Sequence, residues 1–273
     1  MSRFVWKCLV TLLILSTLLA GCGGTLSDTY TNNVGGGTSG CGMSSPTLEG
    51  IYLGPFTTPG GGTTQVFGAV LPTGVGLFAD VSGDVYVLPS ITNPAAISGT
   101  LDGYAGTGHS FSNNMKTIGY GFTGAASTPD SSCIYESITG EASTGGLQGA
   151  MSVSYQSVSA SAQPLSILGG SYSGYYLGSM ASINLTISNT GVIAGSDNNG
   201  CMISGQLTPE DGNLDLFAIS ADIGGSAPCQ GNLSGIAYVD MVDRANVFAA
   251  PSNYILYMGM ANASVGVMME VQK

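Results

Sequence analysis

Positive charge is nearly absent from this sequence. Its 273 residues hold five Lys and Arg against 16 Asp and Glu. Arg3 and Lys7 lie in the first seven positions. Beyond residue 21 only Lys116, Arg244 and Lys273 face all 16 acids, a net charge of −13. That excludes nucleic acid as a partner, because affinity there comes from Lys and Arg on phosphate. It also excludes docking on an anionic membrane by charge alone. Histidine occurs once, as His109. A Ser-His-Asp triad would have to use it, and "GTGHSFSNN" around it reads as a polar turn. No G-x-S-x-G elbow occurs. Zinc sites want His and Cys in clustered pairs, and one His with no C-x-x-C pair does not supply them. No metal and no cofactor is expected, and the chain reads as a non-enzyme.

Charged residues of both signs make up only 8% of the chain, while 43 residues are Gly. Ser, Thr and Asn supply most of the polarity. The rest is too apolar for a disordered acidic chain, and no amphipathic helix of convincing length follows residue 46. Short β-branched and aromatic runs punctuated by Gly read as all-β. In "SINLTISNTGVIAGSDNNGC" (182–201), Ile183, Leu185 and Ile187 alternate with polar residues. Asn189-Thr190-Gly191 makes a turn and Val192-Ile193-Ala194 starts the return strand. Leu214, Leu216 and Ala218 alternate again, as do Leu233, Gly235, Ala237 and Val239, then Val265, Val267, Met269 and Val271. Such spacing predicts an antiparallel meander folded as a barrel or sandwich. "LEGIYLGPF" (48–56) and "LGGSYSGYY" (168–176) share the form L-x-G-x-Y-x-G. The small polar "SVSASAQPLS" (157–166) separates the stretches they begin. Two β modules in tandem are expected, over 46–163 and 164–273, with one continuous body as the alternative.

The amino terminus is of another kind. Arg3 and Lys7 precede a twelve-residue apolar run, Cys8 to Leu19, too short to span a bilayer comfortably as a helix and typical of a secretory signal. Leu19-Ala20-Gly21-Cys22 follows. This resembles the lipobox of bacterial lipoproteins, L-[AS]-[GA]-C. The resemblance implies that residues 1–21 are a cleaved signal and that the Cys22 thiol and new amine carry acyl chains of the palmitate class. At about 0.8 kcal/mol per buried CH₂, several chains anchor stably where one would be marginal. Residues 22–45 have the Gly/Ser/Thr/Asn composition of a flexible tether, with a typical end-to-end distance of about 25 to 30 Å. In enterobacterial lipoproteins Asp directly after the lipidated Cys favours inner-membrane retention. Gly23 stands there, so the resemblance implies the outer membrane if the cell is Gram-negative.

Several formal matches have plainer readings. Gly119, Gly121 and Gly124 satisfy G-x-G-x-x-G, but "TIGYGFTGAA" alternates as a strand and opens no helix. Asp80 and Asp84, and Asp197 with Asn198 and Asn199, offer oxygens that calcium accepts. Hairpin turns favour the same residues for backbone reasons. Glu136 and Glu141 resemble a glycosidase pair in number only. Tyr175-Tyr176 is a candidate binding surface or simply fills a β face, and the second is favoured.

The carboxy-terminal part also resembles uncharacterised glycine-rich proteobacterial lipoproteins. "GVIAGSDNNGCMISGQLTP" (191–209), Pro228-Cys229 and "LSGIAYVD" (233–240) carry this likeness, which implies a β fold and an envelope location. Export places Cys41, Cys133, Cys201 and Cys229 in an oxidising compartment, where four thiols allow three pairings. Cys201 with Cys229 is favoured, since both sit at strand–turn junctions of one module and the resembled group carries both. That leaves Cys41 with Cys133, unless Cys41 is a free tether thiol. The function expected is that of a lipid-anchored scaffold, adhesion or partner-binding module. It would meet the membrane through Cys22 and an envelope protein or surface ligand through its body. The alternative is a carrier of a small apolar ligand in a barrel lumen, and a hydrolase is the remote third.

Overall fold

The computed structural model describes residues 48–273 except 89, 108, 112–113, 157–163, 211–215, 227 and 242–253. The expected signal (1–21), Cys22, the expected tether (22–45) and Cys41 lie outside the described residues. The first eight strands are β1 (Gly50–Thr57), β2 (Thr63–Val70), β3 (Gly76–Asp80), β4 (Val85–Leu88), β5 (Ile97–Tyr104), β6 (Thr117–Ala126), β7 (Ser137–Thr144) and β8 (Leu147–Gln156). After a single helical turn, α1 (Leu165–Leu168), come β9 (Gly170–Tyr176), β10 (Ser182–Ile187), β11 (Val192–Asp197), β12 (Met202–Pro209), β13 (Leu216–Gly224), β14 (Gly231–Met241), β15 (Tyr254–Ala261) and β16 (Gly266–Gln272). Each set of eight is an antiparallel meander closed on itself. β1 pairs with β8, and β9 with β16. The protein is two tandem all-β barrels.

Strand alternation aims one set of side chains inward, and eight strands leave an interior just wide enough for side chains to fill. The first interior is aromatic. Tyr52, Phe56, Phe78, Tyr86 and Phe122 are fully buried, and Phe56 meets Tyr86 edge-on at 4.9 Å between ring centres. The second is mainly aliphatic and methionine-rich, with Leu185, Ile203, Leu207, Met258 and Met269 inside around Phe217. Away from the contact between the barrels, outward positions carry exposed hydroxyls and amides. Ser98, Thr100, Thr123 and Thr139 do so on the first barrel, and Ser171, Asn184, Thr186 and Ser204 on the second. This is the reverse of a membrane-spanning barrel, which is apolar outside.

The L-x-G-x-Y-x-G echo marks where each barrel closes. Tyr52 and Tyr172 point inward and donate their hydroxyl protons to the carbonyls of Leu48 (2.9 Å) and Leu168 (2.8 Å), four residues back. Gly50 and Gly170 hold φ of 151° and 153°, which a side chain would strain. A Cβ on Gly54 would lie 2.0 Å from the Ser152 carbonyl oxygen, and one on Gly174 1.9 Å from that of Glu270. Both oxygens belong to the closing strand. The motif therefore caps the barrel end and lets first and last strands meet.

The Cys201–Cys229 disulfide forms, with Cα atoms 5.6 Å apart. It ties the start of β12 to the β13–β14 connection. Cys133 is also disulfide-bonded. Replacing Cys201 and Cys229 together with serine is expected to cost about 3 to 4 kcal/mol on the chain-entropy account of a 28-residue loop. Urea titration against the oxidised wild type measures it. A midpoint unchanged by the double replacement would show that barrel closure already supplies that restraint.

Candidate functional site

The residues that sequence alone singled out do not gather into one site. His109 sits half-exposed in the β5–β6 connection, its Nδ1 3.8 Å from Asp84 Oδ1. That oxygen already accepts the N–H of Gly106 at 2.8 Å, and Lys116 Nζ donates to the His109 carbonyl. The arrangement holds a loop. Gly119, Gly121 and Gly124 lie within β6, paired to β5 and β7, with no helix following. Glu136 is exposed before β7 and Glu141 is exposed on it.

The aspartates are turn-formers. Asp80 Oδ1 accepts the N–H groups of Ser82 (2.9 Å) and Asp84 (3.1 Å). Asp197 Oδ1 accepts those of Asn199 (2.8 Å) and Cys201 (2.9 Å). These are the same turn in matching places, β3–β4 and β11–β12. Gly83 and Gly200 supply its positive φ of 82° and 85°. Among the described residues no three His, Cys, Asp or Glu side chains gather as a metal site. Tyr176 fills the second core, while Tyr175 points out and packs against the contact between the barrels.

That contact is the structure's distinctive surface, and sequence reasoning missed it. Both barrels belong to one compact unit. Leu77, Ala79 and Val85 of the first face Leu216, Ile236 and Met268 of the second in one buried apolar cluster. The first barrel contributes β1–β4 and the second β13–β16 with the end of β9, so the seam joins non-equivalent faces of two like modules. Glycines bring the backbones together. A Cβ on Gly259 would lie 2.4 Å from Leu77 Cδ2, one on Gly266 2.7 Å from the Tyr104 carbonyl oxygen, and one on Gly178 2.0 Å from that of Ser82. Gly266 donates its N–H to the Ala105 carbonyl at 3.3 Å. Tyr257 stacks on Tyr238 at 5.1 Å and meets Phe67 edge-on at 5.6 Å.

A cleft of about 350 Å³ opens beside this seam, with Leu71, Leu77, Val87 and Ile236 among its walls and Tyr104 and Asn262 at its edge. Asn262 is committed to structure. Its Nδ2 donates to the carbonyls of Gln230 and Asn232, and its Oδ1 accepts the Ser264 and Val265 N–H groups. Two carboxylates sit in sheltered places: Asp80 pairs with Val66 on the inward face of β3, and Glu270 pairs with Tyr257 and Tyr175 on the outer face of β16. Burial, with the nearby Asp84 carboxylate, raises Asp80 to about 6 against the opposing pull of its hydrogen bonds and of His109. Burial also raises Glu270, partly offset by a hydrogen bond from Tyr175.

No family model, curated protein or solved structure matches this chain.

Proposed function

We propose that this chain is a lipoprotein of the bacterial cell envelope. Acyl chains on Cys22 hold it to the outer membrane, and its two barrels form a rigid, non-enzymatic body for scaffolding, adhesion or partner binding. The observation that carries this reading is Leu19-Ala20-Gly21-Cys22 directly after a short apolar run and before a glycine-rich tether. The body's character supports it. Among the described residues the barrels are apolar inside and rich in Ser, Thr and Asn on their outward faces, which favours attachment through the amino terminus. Cys41 with Cys133 would pin the end of the tether to the β6–β7 loop of the first barrel.

A two-barrel architecture fits a scaffold or a carrier. Both interiors are filled by buried side chains, which favours the scaffold. For an apolar ligand the cleft beside the seam takes the place of a lumen. Expressed in its native host, Cys22→Ser is expected to leave the membrane fraction almost completely, as precursor or as soluble protein. A variant that fractionates like the wild type would remove the anchor from the account.

A further inference from the structure

The outer face of the second barrel carries one row of large side chains at the rim of the seam. Tyr238 of β14 lies opposite Tyr257 of β15, Tyr257 opposite Glu270 of β16, and Glu270 opposite Tyr175 of β9. Direct cross-strand partners hold their Cβ atoms about 4.5 to 5.5 Å apart on one face of a sheet. The next residues along these strands, Met258, Met269 and Tyr176, enter the core, so the row points out. Tyr257 is held in place. Its ring stacks on Tyr238 with centres 5.1 Å apart and planes 23° apart, and Phe67 of the first barrel meets it edge-on at 5.6 Å. On the other side of Glu270, the Tyr175 hydroxyl donates to the carboxylate. Tyr257, Glu270 and Tyr175 are each half-buried, so the carboxylate sits between two rings and all three meet solvent. Among the described residues no Lys, Arg or His forms an ion pair with Glu270.

We propose that this row binds an organic cation of the quaternary ammonium class, such as choline, seated on the Glu270 carboxylate and flanked by the rings of Tyr257 and Tyr175. The side chains set the chemistry. The face of a tyrosine ring is electron-rich and attracts a cation within about 6 Å of its centre. A carboxylate one cross-strand step from each ring adds a full opposite charge. A primary ammonium is compact and strongly hydrated, and half-buried rings do not replace that water. A quaternary ammonium presents methyl groups, which pack on the rings while its charge faces the carboxylate. Partial burial makes the bare Glu270 charge costly, and a cation beside it offsets that cost. The proposal rests on the reading of the body as a partner-binding module and gives it a ligand class, but nothing in the row depends on Cys22.

An NMR titration of the isotope-labelled full-length protein with choline chloride, against sodium chloride at matched ionic strength, tests this at neutral pH. Saturable shifts are expected at the amides of Tyr175, Tyr257 and Glu270, with half-saturation in the millimolar range, about 1 to 10 mM. The carbon isostere of choline, in which a neutral tert-butyl group replaces the trimethylammonium, should bind at least about tenfold more weakly. Glu270→Gln keeps an acceptor for the Tyr175 hydroxyl and should also weaken choline about tenfold. Glu141→Gln, which removes an exposed carboxylate of the first barrel, should leave choline binding unchanged, and this separates the row from general attraction to an acidic protein. Absence of saturable shifts in the row below about 50 mM choline would overturn the proposal. So would an isostere that binds as well as choline, undiminished binding to Glu270→Gln, or a loss in Glu141→Gln equal to that in Glu270→Gln. If Glu270→Gln does not fold, the comparison of choline with its isostere on the wild type decides alone. Failure here leaves the anchor standing, since fractionation of Cys22→Ser reads that separately.

Discussion

Gly174→Val is expected to leave the second barrel unable to close. The new Cβ would fall 1.9 Å from the Glu270 carbonyl oxygen and 2.7 Å from Val271 Cα. Both are backbone atoms of β16, so no rotamer change relieves the clash. Either β9 and β16 separate, exposing two hydrogen-bonding edges and the interior behind them, or the whole barrel expands. Overpacking alone costs about 1 to 3 kcal/mol where side chains can yield. Here they cannot, and the loss should exceed that range, giving insoluble chain or a barrel without a cooperative transition. Gly54→Val should do the same to the first barrel, since its Cβ would lie 2.0 Å from the Ser152 oxygen. Circular dichroism melts of the two variants decide it. A soluble variant melting like the wild type would mean that the closing pairs are not as close as described.

Ile236→Asp should uncouple the barrels without opening either one. Ile236 points away from its own core, is 3% exposed and sits in the seam cluster. A carboxylate there would be buried with no cation among the described seam residues, a cost of about 3 kcal/mol or more. Each barrel keeps its own hydrogen-bonded closure, so the structure escapes the cost by parting the seam. Calorimetry is expected to resolve two transitions where the wild type gives one. Ser98→Asp, on the exposed outer face, should shift stability by no more than about 0.5 kcal/mol. An unchanged single transition in Ile236→Asp would contradict a tight seam.

The seam also explains what could be read from the sequence. β10 and β11 were legible because one face meets the core and the other meets water, so Ile183, Leu185 and Ile187 alternate cleanly with Asn184 and Thr186. The repeated L-x-G-x-Y-x-G was legible as an echo, and its work at the closing strands needs the fold to be seen. Alternation misled at β13. Leu216 and Ala218 read as a core face, yet Phe217, Ile219, Ala221 and Ile223 point inward. Leu216 enters the seam and Ala218 lines the cleft. Where a strand is buried on both sides, as at the start of β13, no polar face sets the phase. The same holds for β3, whose five residues are all buried, and for "GVMMEV" in β16. Those unbroken apolar runs, on strands of an otherwise alternating chain, were the signal for a second buried surface. The Asp80 and Asp197 turns were recognisable as turns, but which one would bear on the other barrel depended on a pairing of faces that no local pattern encodes.

The account rests most heavily on Cys22. Mass spectrometry of the amino-terminal peptide, from protein extracted out of native membranes with detergent, tests it most directly. The expected peptide begins at Cys22 and carries a diacylglycerol thioether and, where the host completes maturation, an amide-linked acyl chain. A chain that begins elsewhere, or an unmodified Cys22, would contradict it.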